Sequence, residues 1–270
     1  MEDLSLASEL YNSVKFNMQK LILDIPEQDA ERIAMVFDAD RNEVKTLIKS
    51  FHQTVRAEAE QTRREVTIPR LEGKHSIVFL GDSITSDRES YLNIIRELYR
   101  DRPDVNVVDA AISGDKSDDA VMRFYERVLR YEPDVVCILI GTNDLRRNDD
   151  AYANACVSLG DIEKNLRYII SLLQSCGTKV IITTISPDIN ERLRKRFPDS
   201  NWCYQPSEID ALNQLICELS MEYGITLNDM RAVYAKYSPE EILLNDGLHL
   251  NALGQRLLLR STLACLNKIF

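Results

Sequence analysis

The chain is poor in features that would fix its class at once. Its 270 residues hold six cysteines, Cys137, Cys156, Cys176, Cys203, Cys217 and Cys265, spread singly with no Cys-x-x-Cys pair. A disulfide frame or a cysteine-held zinc is therefore not expected, and buried free thiols are. No apolar run approaches the ~20 residues needed to span a bilayer. Basic residues are outnumbered by acidic ones, 33 to 43, for a net charge of −10. A general nucleic-acid or anionic-membrane binder needs a basic face, so neither is expected. The opening Met1-Glu2-Asp3 is acidic where a secretory signal is basic, which makes a cytoplasmic protein the default. Gly-x-Gly-x-x-Gly is missing after the first strand pattern, and Gly-x-x-x-x-Gly-Lys-Ser/Thr is missing altogether, Gly114-Asp-Lys-Ser117 being a faint imitation. No cofactor and no metal is implied.

What is present divides near residue 70. From Leu4 to about Glu65 the pattern is helical. Leu10, Val14, Met18, Leu21 and Ile25 form one apolar stripe, and Val44, Leu47, Ile48, Phe51 and Val55 form another. A shorter helix is predicted between them, with Pro26 near its start and Ile33, Val36 and Phe37 facing inward. Asp38 to Asn42 imitates a calcium loop, but Glu43 and Lys49 stand where glycine and glutamate are needed. Asp40 and Glu43 fit a helix cap instead. The polar tract Arg56 to Arg70, ending after Pro69, reads as a solvated helix end and a linker. Residues 1–70 are thus expected as an N-terminal helical region, either covering an apolar face of the remainder or serving a partner or a homo-oligomer.

Over residues 71–270 strands alternate with helices. The strand patterns are Ile77–Leu80, Asn106–Asp109, Val135–Ile140, Lys179–Thr184 and Ile225–Leu227, and a closing helix runs from about Ala252 to Ile269. The second and third are entered through the same device, Pro103-Asp-Val105 and Pro133-Asp-Val135, proline ending the helix before. The expectation is an α/β fold, a flavodoxin-like doubly wound parallel sheet of about five strands.

Such sheets bind ligands where their strands end, and four loops there carry chemistry. They hold Ser83, Gly114, Asn143, and the pair Asp246 and His249 three residues apart. Only three histidines exist, and His52 and His75 fall elsewhere. A hydroxyl, a base and an orienting carboxylate suit acyl transfer, and amide donors beside the serine suit the tetrahedral oxyanion.

Four blocks, Gly81-Asp-Ser-Ile-Thr85, Ile112-Ser-Gly-Asp115, Gly141-Thr-Asn-Asp144 and Asp246-Gly-Leu-His249, resemble in order and spacing the signature blocks of the SGNH (GDSL-type) hydrolase superfamily. The resemblance covers roughly residues 75–270. It implies Ser83 as nucleophile, His249 as general base and Asp246 as its partner, with the amides of Ser83 and Gly114 and the side chain of Asn143 forming the oxyanion hole. It also permits a small-molecule ester substrate among carbohydrate O-acetyl esters, lysophospholipids and thioesters. The acidic composition and the want of a membrane-spanning run favour short acyl or O-acetyl esters of soluble or carbohydrate molecules, with lysophospholipids and thioesters as alternatives. A non-catalytic scaffold whose helices dock a partner is the reading from a different class. Asp109 stands where many members carry asparagine, and Leu250 where many carry proline. Asp82 and Asp144 are expected to hold loops. The loop from Ser186 to Pro206 is expected to overhang the site. Its Phe197, Trp202 and Tyr204 could line a pocket or anchor the loop, and its Arg192, Arg194, Lys195 and Arg196 could meet an anion or simply face solvent.

Overall fold

The structure is a computed structural model and describes residues 2–23, 25–148 and 154–270. The N-terminal region forms helices α1 (Glu2–Lys15), α2 (Gln19–Leu23), α3 (Ala30–Val36) and α4 (Arg41–Glu65). Asp29 caps α3, and Asp40 caps α4 by accepting the amides of Asn42 and Glu43. The single helix implied by the first apolar stripe is broken at residues 16–18. Asn17 takes the left-handed conformation (φ 52°) and its side chain donates to the Ser86 carbonyl at 2.7 Å. Leu21 consequently turns out to solvent.

The rest alternates as expected. β1 (His75–Gly81) leads to α5 (Ser83–Ser86) and α6 (Tyr91–Leu98), and β2 (Val105–Asp109) to α7 (Ser117–Met122) and α8 (Phe124–Arg127). β3 (Val135–Leu139) leads to α9 (Leu159–Ser175), and β4 (Lys179–Thr183) to α10 (Asn190–Arg196) and α11 (Pro206–Glu222). After β5 (Thr226–Asn228) come the short α12 (Arg231–Tyr234) and α13 (Pro239–Ile242), then α14 (Ala252–Ile269).

All pairings are parallel, in the order β2-β1-β3-β4-β5. β1 and β3 are buried along nearly their whole length, as strands covered on both faces must be. Helices α6 and α14 pack together on one side, and α7, α9 and α11 pack in a row on the other. α4 lies on α6 and puts Val55 and Ala59 into the same core as the sheet, while Val14, Ile33, Val44 and Phe51 form a second, smaller core among the N-terminal helices. Chain direction across the sheet reverses between β1 and β3, so the crevice for a ligand opens beside Ser83 and Asn143, which follow those two strands.

Candidate active site

Gly81 closes β1 because nothing larger fits. A Cβ there would lie 2.7 Å from the Leu139 carbonyl of the neighbouring strand and 2.5 Å from Thr85 Oγ1. The chain then turns into α5, whose start is capped by Asp82 accepting the Ile84 amide at 2.9 Å. Ser83 is the first residue of that helix, so its amide has no acceptor within the helix.

In the loop between α13 and α14 Asp246 builds its own turn. Its Oδ1 accepts the amides of Leu248 (2.9 Å) and His249 (3.0 Å), and its Oδ2 faces His249 Nδ1 at 2.7 Å. Gly247 sits between them at φ 77°, where a Cβ would meet the Ile189 carbonyl at 2.6 Å. The far ring nitrogen, His249 Nε2, lies 2.8 Å from Ser83 Oγ. The carboxylate fixes the proton on Nδ1, which leaves Nε2 an acceptor for the hydroxyl. Burial pushes the Asp246 carboxyl up, but the His249 hydrogen bond and charge and the two amides outweigh it and hold the group below its ordinary range. The three side chains that the sequence singled out, 166 positions apart at the extremes, thus form one hydrogen-bonded line.

The amide donors come to the same place. Gly114 (φ 86°) and Asn143 line one cavity of about 330 Å³ with Ser83, Asp246 and His249. Asn143 Nδ2 donates to the Asp115 carbonyl at 3.1 Å and lies 3.5 Å from Asp82 Oδ2. Asp144 accepts the Ser117 amide at 3.0 Å on each oxygen and the Ser117 hydroxyl at 2.5 Å, tying the loops after β2 and β3 together. Burial pushes Asp82 up to about 7 and Asp144 up to about 6. Both act on backbone amides, as loop-holding residues do. Among the described residues no group of three or more His, Cys, Asp or Glu side chains could hold a metal.

The overhanging loop divides. Phe197 and Trp202 pack ring against ring, centroids 4.5 Å apart and planes tilted by 35°, and line the cavity, whereas Tyr204 is buried in the main core and its backbone is clamped by Asn190 at 2.7 and 2.8 Å. Of the basic cluster, Arg196 reaches the cavity; Arg192 donates to the Leu244 carbonyl at 3.4 Å, and Arg194 and Lys195 are exposed. Sequence reasoning missed Phe16, Met18 and Arg146, which also line the cavity. The one hint was Asp109. It forms a buried ion pair with Lys20, which lies 3.0 Å from Glu27, and Glu27 is in turn 3.4 Å from Arg96. Burial alone would discharge Lys20, but the two carboxylates keep it charged.

A model of the GDSL-like lipase/acylhydrolase family matches residues 79–257. An arylesterase from Vibrio mimicus is 24% identical over 184 residues, 66% of this chain and 81% of that protein. A lipase/acylhydrolase from Enterococcus faecalis superposes with a TM-score of 0.57 at 23% identity, covering 72% of this chain and 96% of that one. A catalytic mutant of an acetylxylan esterase from Geobacillus stearothermophilus gives 0.58 at 22% identity, covering 73% and 95%. These superpositions establish a shared fold. Among the described residues no helix is long and apolar enough to cross a membrane.

Proposed function

Because the chain belongs to the GDSL-like lipase/acylhydrolase family, we propose that it is a serine esterase hydrolysing short acyl esters, O-acetyl esters above all, of small soluble or carbohydrate molecules. The observation that carries this reading is the line Ser83 Oγ, His249 Nε2, His249 Nδ1, Asp246 Oδ2, with contacts of 2.8 and 2.7 Å. His249 takes the hydroxyl proton as Ser83 Oγ attacks the ester carbonyl, and Asp246 stabilises the imidazolium that forms. The Ser83 and Gly114 amides and Asn143 Nδ2 receive the oxyanion. The imidazolium returns its proton to the leaving alcohol, leaving an acyl-serine. The same imidazole then activates water, which releases the acid and restores the hydroxyl.

Substrate size follows from the cavity. About 330 Å³ lies at the small end of ligand sites, which favours a short acyl group over a fatty chain. Its walls include Phe197, Trp202 and Leu248, suited to the apolar face of a sugar ring or to a small alcohol. The arylesterase and the acetylxylan esterase named above accord with that choice.

The test is a panel of acetylated sugars, short p-nitrophenyl esters and lysophospholipids, run on the wild type and on Ser83→Ala. The wild type should turn over the first two groups, and Ser83→Ala should lose both turnover and covalent labelling by an organophosphonate. A Ser83→Ala protein that hydrolyses p-nitrophenyl acetate at the wild-type rate would remove the serine from the mechanism.

A further inference from the structure

Residues 9–20 lie outside the family match, yet they form one wall of the candidate site. Phe16 sits in the break between α1 and α2. It is 6% exposed but belongs to neither of the two apolar cores. What its ring covers is His249: the two rings stack with centroids 4.0 Å apart and planes 25° from parallel. The Phe16 carbonyl accepts the Ser113 hydroxyl, immediately before Gly114.

The turn that presents Phe16 is tied down by directional polar contacts rather than by apolar packing. Arg88 reaches it twice, Nε donating to the Val14 carbonyl at 2.6 Å and the backbone amide to the Lys15 carbonyl at 2.8 Å. Lys15 pairs with Asp87 at 3.0 Å, Asn17 holds Ser86, and Lys20 holds Asp109. All of these partners lie between β1 and α6, the segment that carries Ser83, or at the end of β2, which leads into the loop that carries Gly114. A helix laid over the sheet merely to cover an apolar face would need none of this; α4 does that work through Val55 and Ala59. Fixing a three-residue turn by so many specific contacts makes sense where the position of one side chain matters.

We propose that Phe16 is a positioning and specificity-determining residue of the esterase. Its ring sets the plane of the His249 imidazole so that Nε2 meets Ser83. Its place beside Ser113 and Gly114, where the ester carbonyl must sit, limits the length of the acyl chain. This rests on the reading of Ser83 and His249 given above.

The experiment compares Phe16→Tyr, Phe16→Leu and Phe16→Ala with the wild type on p-nitrophenyl acetate, butanoate and octanoate. Each protein is checked by circular dichroism and by stoichiometric phosphonate labelling. Loss of the flat ring in Phe16→Leu should lower kcat on acetate by roughly ten- to a hundredfold, the scale of an ångström-level misplacement, with KM little changed. Phe16→Tyr keeps the face and should restore most of that rate. Phe16→Ala should move the octanoate-to-acetate ratio of kcat/KM upward by about tenfold or more, as freed space in an apolar pocket does. Should Phe16→Ala not fold, Phe16→Leu carries both readouts. A folded, fully labelled Phe16→Leu with wild-type kcat and an unchanged chain-length profile overturns the inference while leaving Ser83 as nucleophile. Failure of phosphonate to label the wild type would strike the underlying reading instead.

Discussion

Replacing Asp246 by asparagine separates what its carboxylate does for the loop from what it does for the imidazole. One oxygen accepts the amides of Leu248 and His249 at 2.9 and 3.0 Å, and the other faces Nδ1 at 2.7 Å. Asparagine has the same shape, and its carbonyl oxygen can keep both amide hydrogen bonds, so the turn should survive. The second atom becomes an NH2 group, which can only donate. Nδ1 must then accept, the ring proton moves to Nε2, and Nε2 offers Ser83 a proton instead of taking one. Loss of the correct tautomer in a Ser-His-Asp site costs about 10⁴ in kcat, or about 5 kcal/mol of barrier. The carboxyl's pKa is held below its ordinary value of 3.8. Its contribution to stability is therefore present above the unfolded pKa and lost as pH falls through the folded one, and the variant should forgo it at neutral pH and match the wild type in strong acid. Steady-state kinetics on p-nitrophenyl acetate with calorimetry of the same samples test both halves. A folded Asp246→Asn enzyme that kept more than about a tenth of the wild-type kcat, a penalty of only about 1.4 kcal/mol, would refute the tautomer argument.

Asn143→Ala removes one oxyanion donor and should lower kcat by about 10²–10³ with KM little changed, measured on the same ester. Gly81→Ala forces a methyl against the Leu139 carbonyl at 2.7 Å and should destabilise by about 1–3 kcal/mol or more. Gly160→Ala, near the start of α9, meets nothing within 4 Å and should stabilise by about 0.4–1 kcal/mol; urea unfolding ranks the pair. Burial first, then Asp144 and Asp115, push Asp82 up to about 7 against the Ile84 amide and His249. The fold therefore favours protonated Asp82, a stabilisation present below the unfolded value of 3.8 and lost as pH rises through about 7. Asp82→Asn, which can still cap Ile84, should gain on the wild type across that window in chemical unfolding.

The sheet and its four loops were legible because each depends on local chemistry. Apolar runs such as Val135–Leu139 admit little besides a strand covered on both faces, and proline before each of two strands marks where the helix had to stop. Asp246 and His249 share a turn that they build themselves, so their mutual placement was written three residues apart. The N-terminal segment was not legible in the same way. Leu10, Val14, Met18, Leu21 and Ile25 keep a helical period straight through the break at Asn17, because the break is set by the Ser86 carbonyl 69 positions away. Phe16 escaped notice as a site residue for the same reason: its partners, His249 and Ser113, are supplied by distant loops. Tyr204 could not be told from its aromatic neighbours until Asn190 was found clamping its backbone into the core.

Asp109 and Lys20 explain each other, and their pairing joins the N-terminal segment to the family fold. Asp109 Oδ1 accepts the Ala111 amide at 2.9 Å, a contact that an asparagine in its place could make as well. What asparagine could not do is neutralise Lys20, which is 9% exposed and has Asp109 and Glu27 against its ammonium. Lys20→Met leaves Asp109 buried without its counter-ion, while Glu27 keeps Arg96 at 3.4 Å. Breaking one side of such a pair costs about 3–5 kcal/mol, but replacing both partners by neutral groups is often close to neutral. Lys20→Met should therefore lose most of that amount in urea unfolding, and Lys20→Met with Asp109→Asn should recover much of it, a coupling expected only of groups in contact. Additive losses in the double variant would mean that the ion pair does not carry the attachment, and that the turn presenting Phe16 is held by Arg88, Asn17 and Lys15 alone.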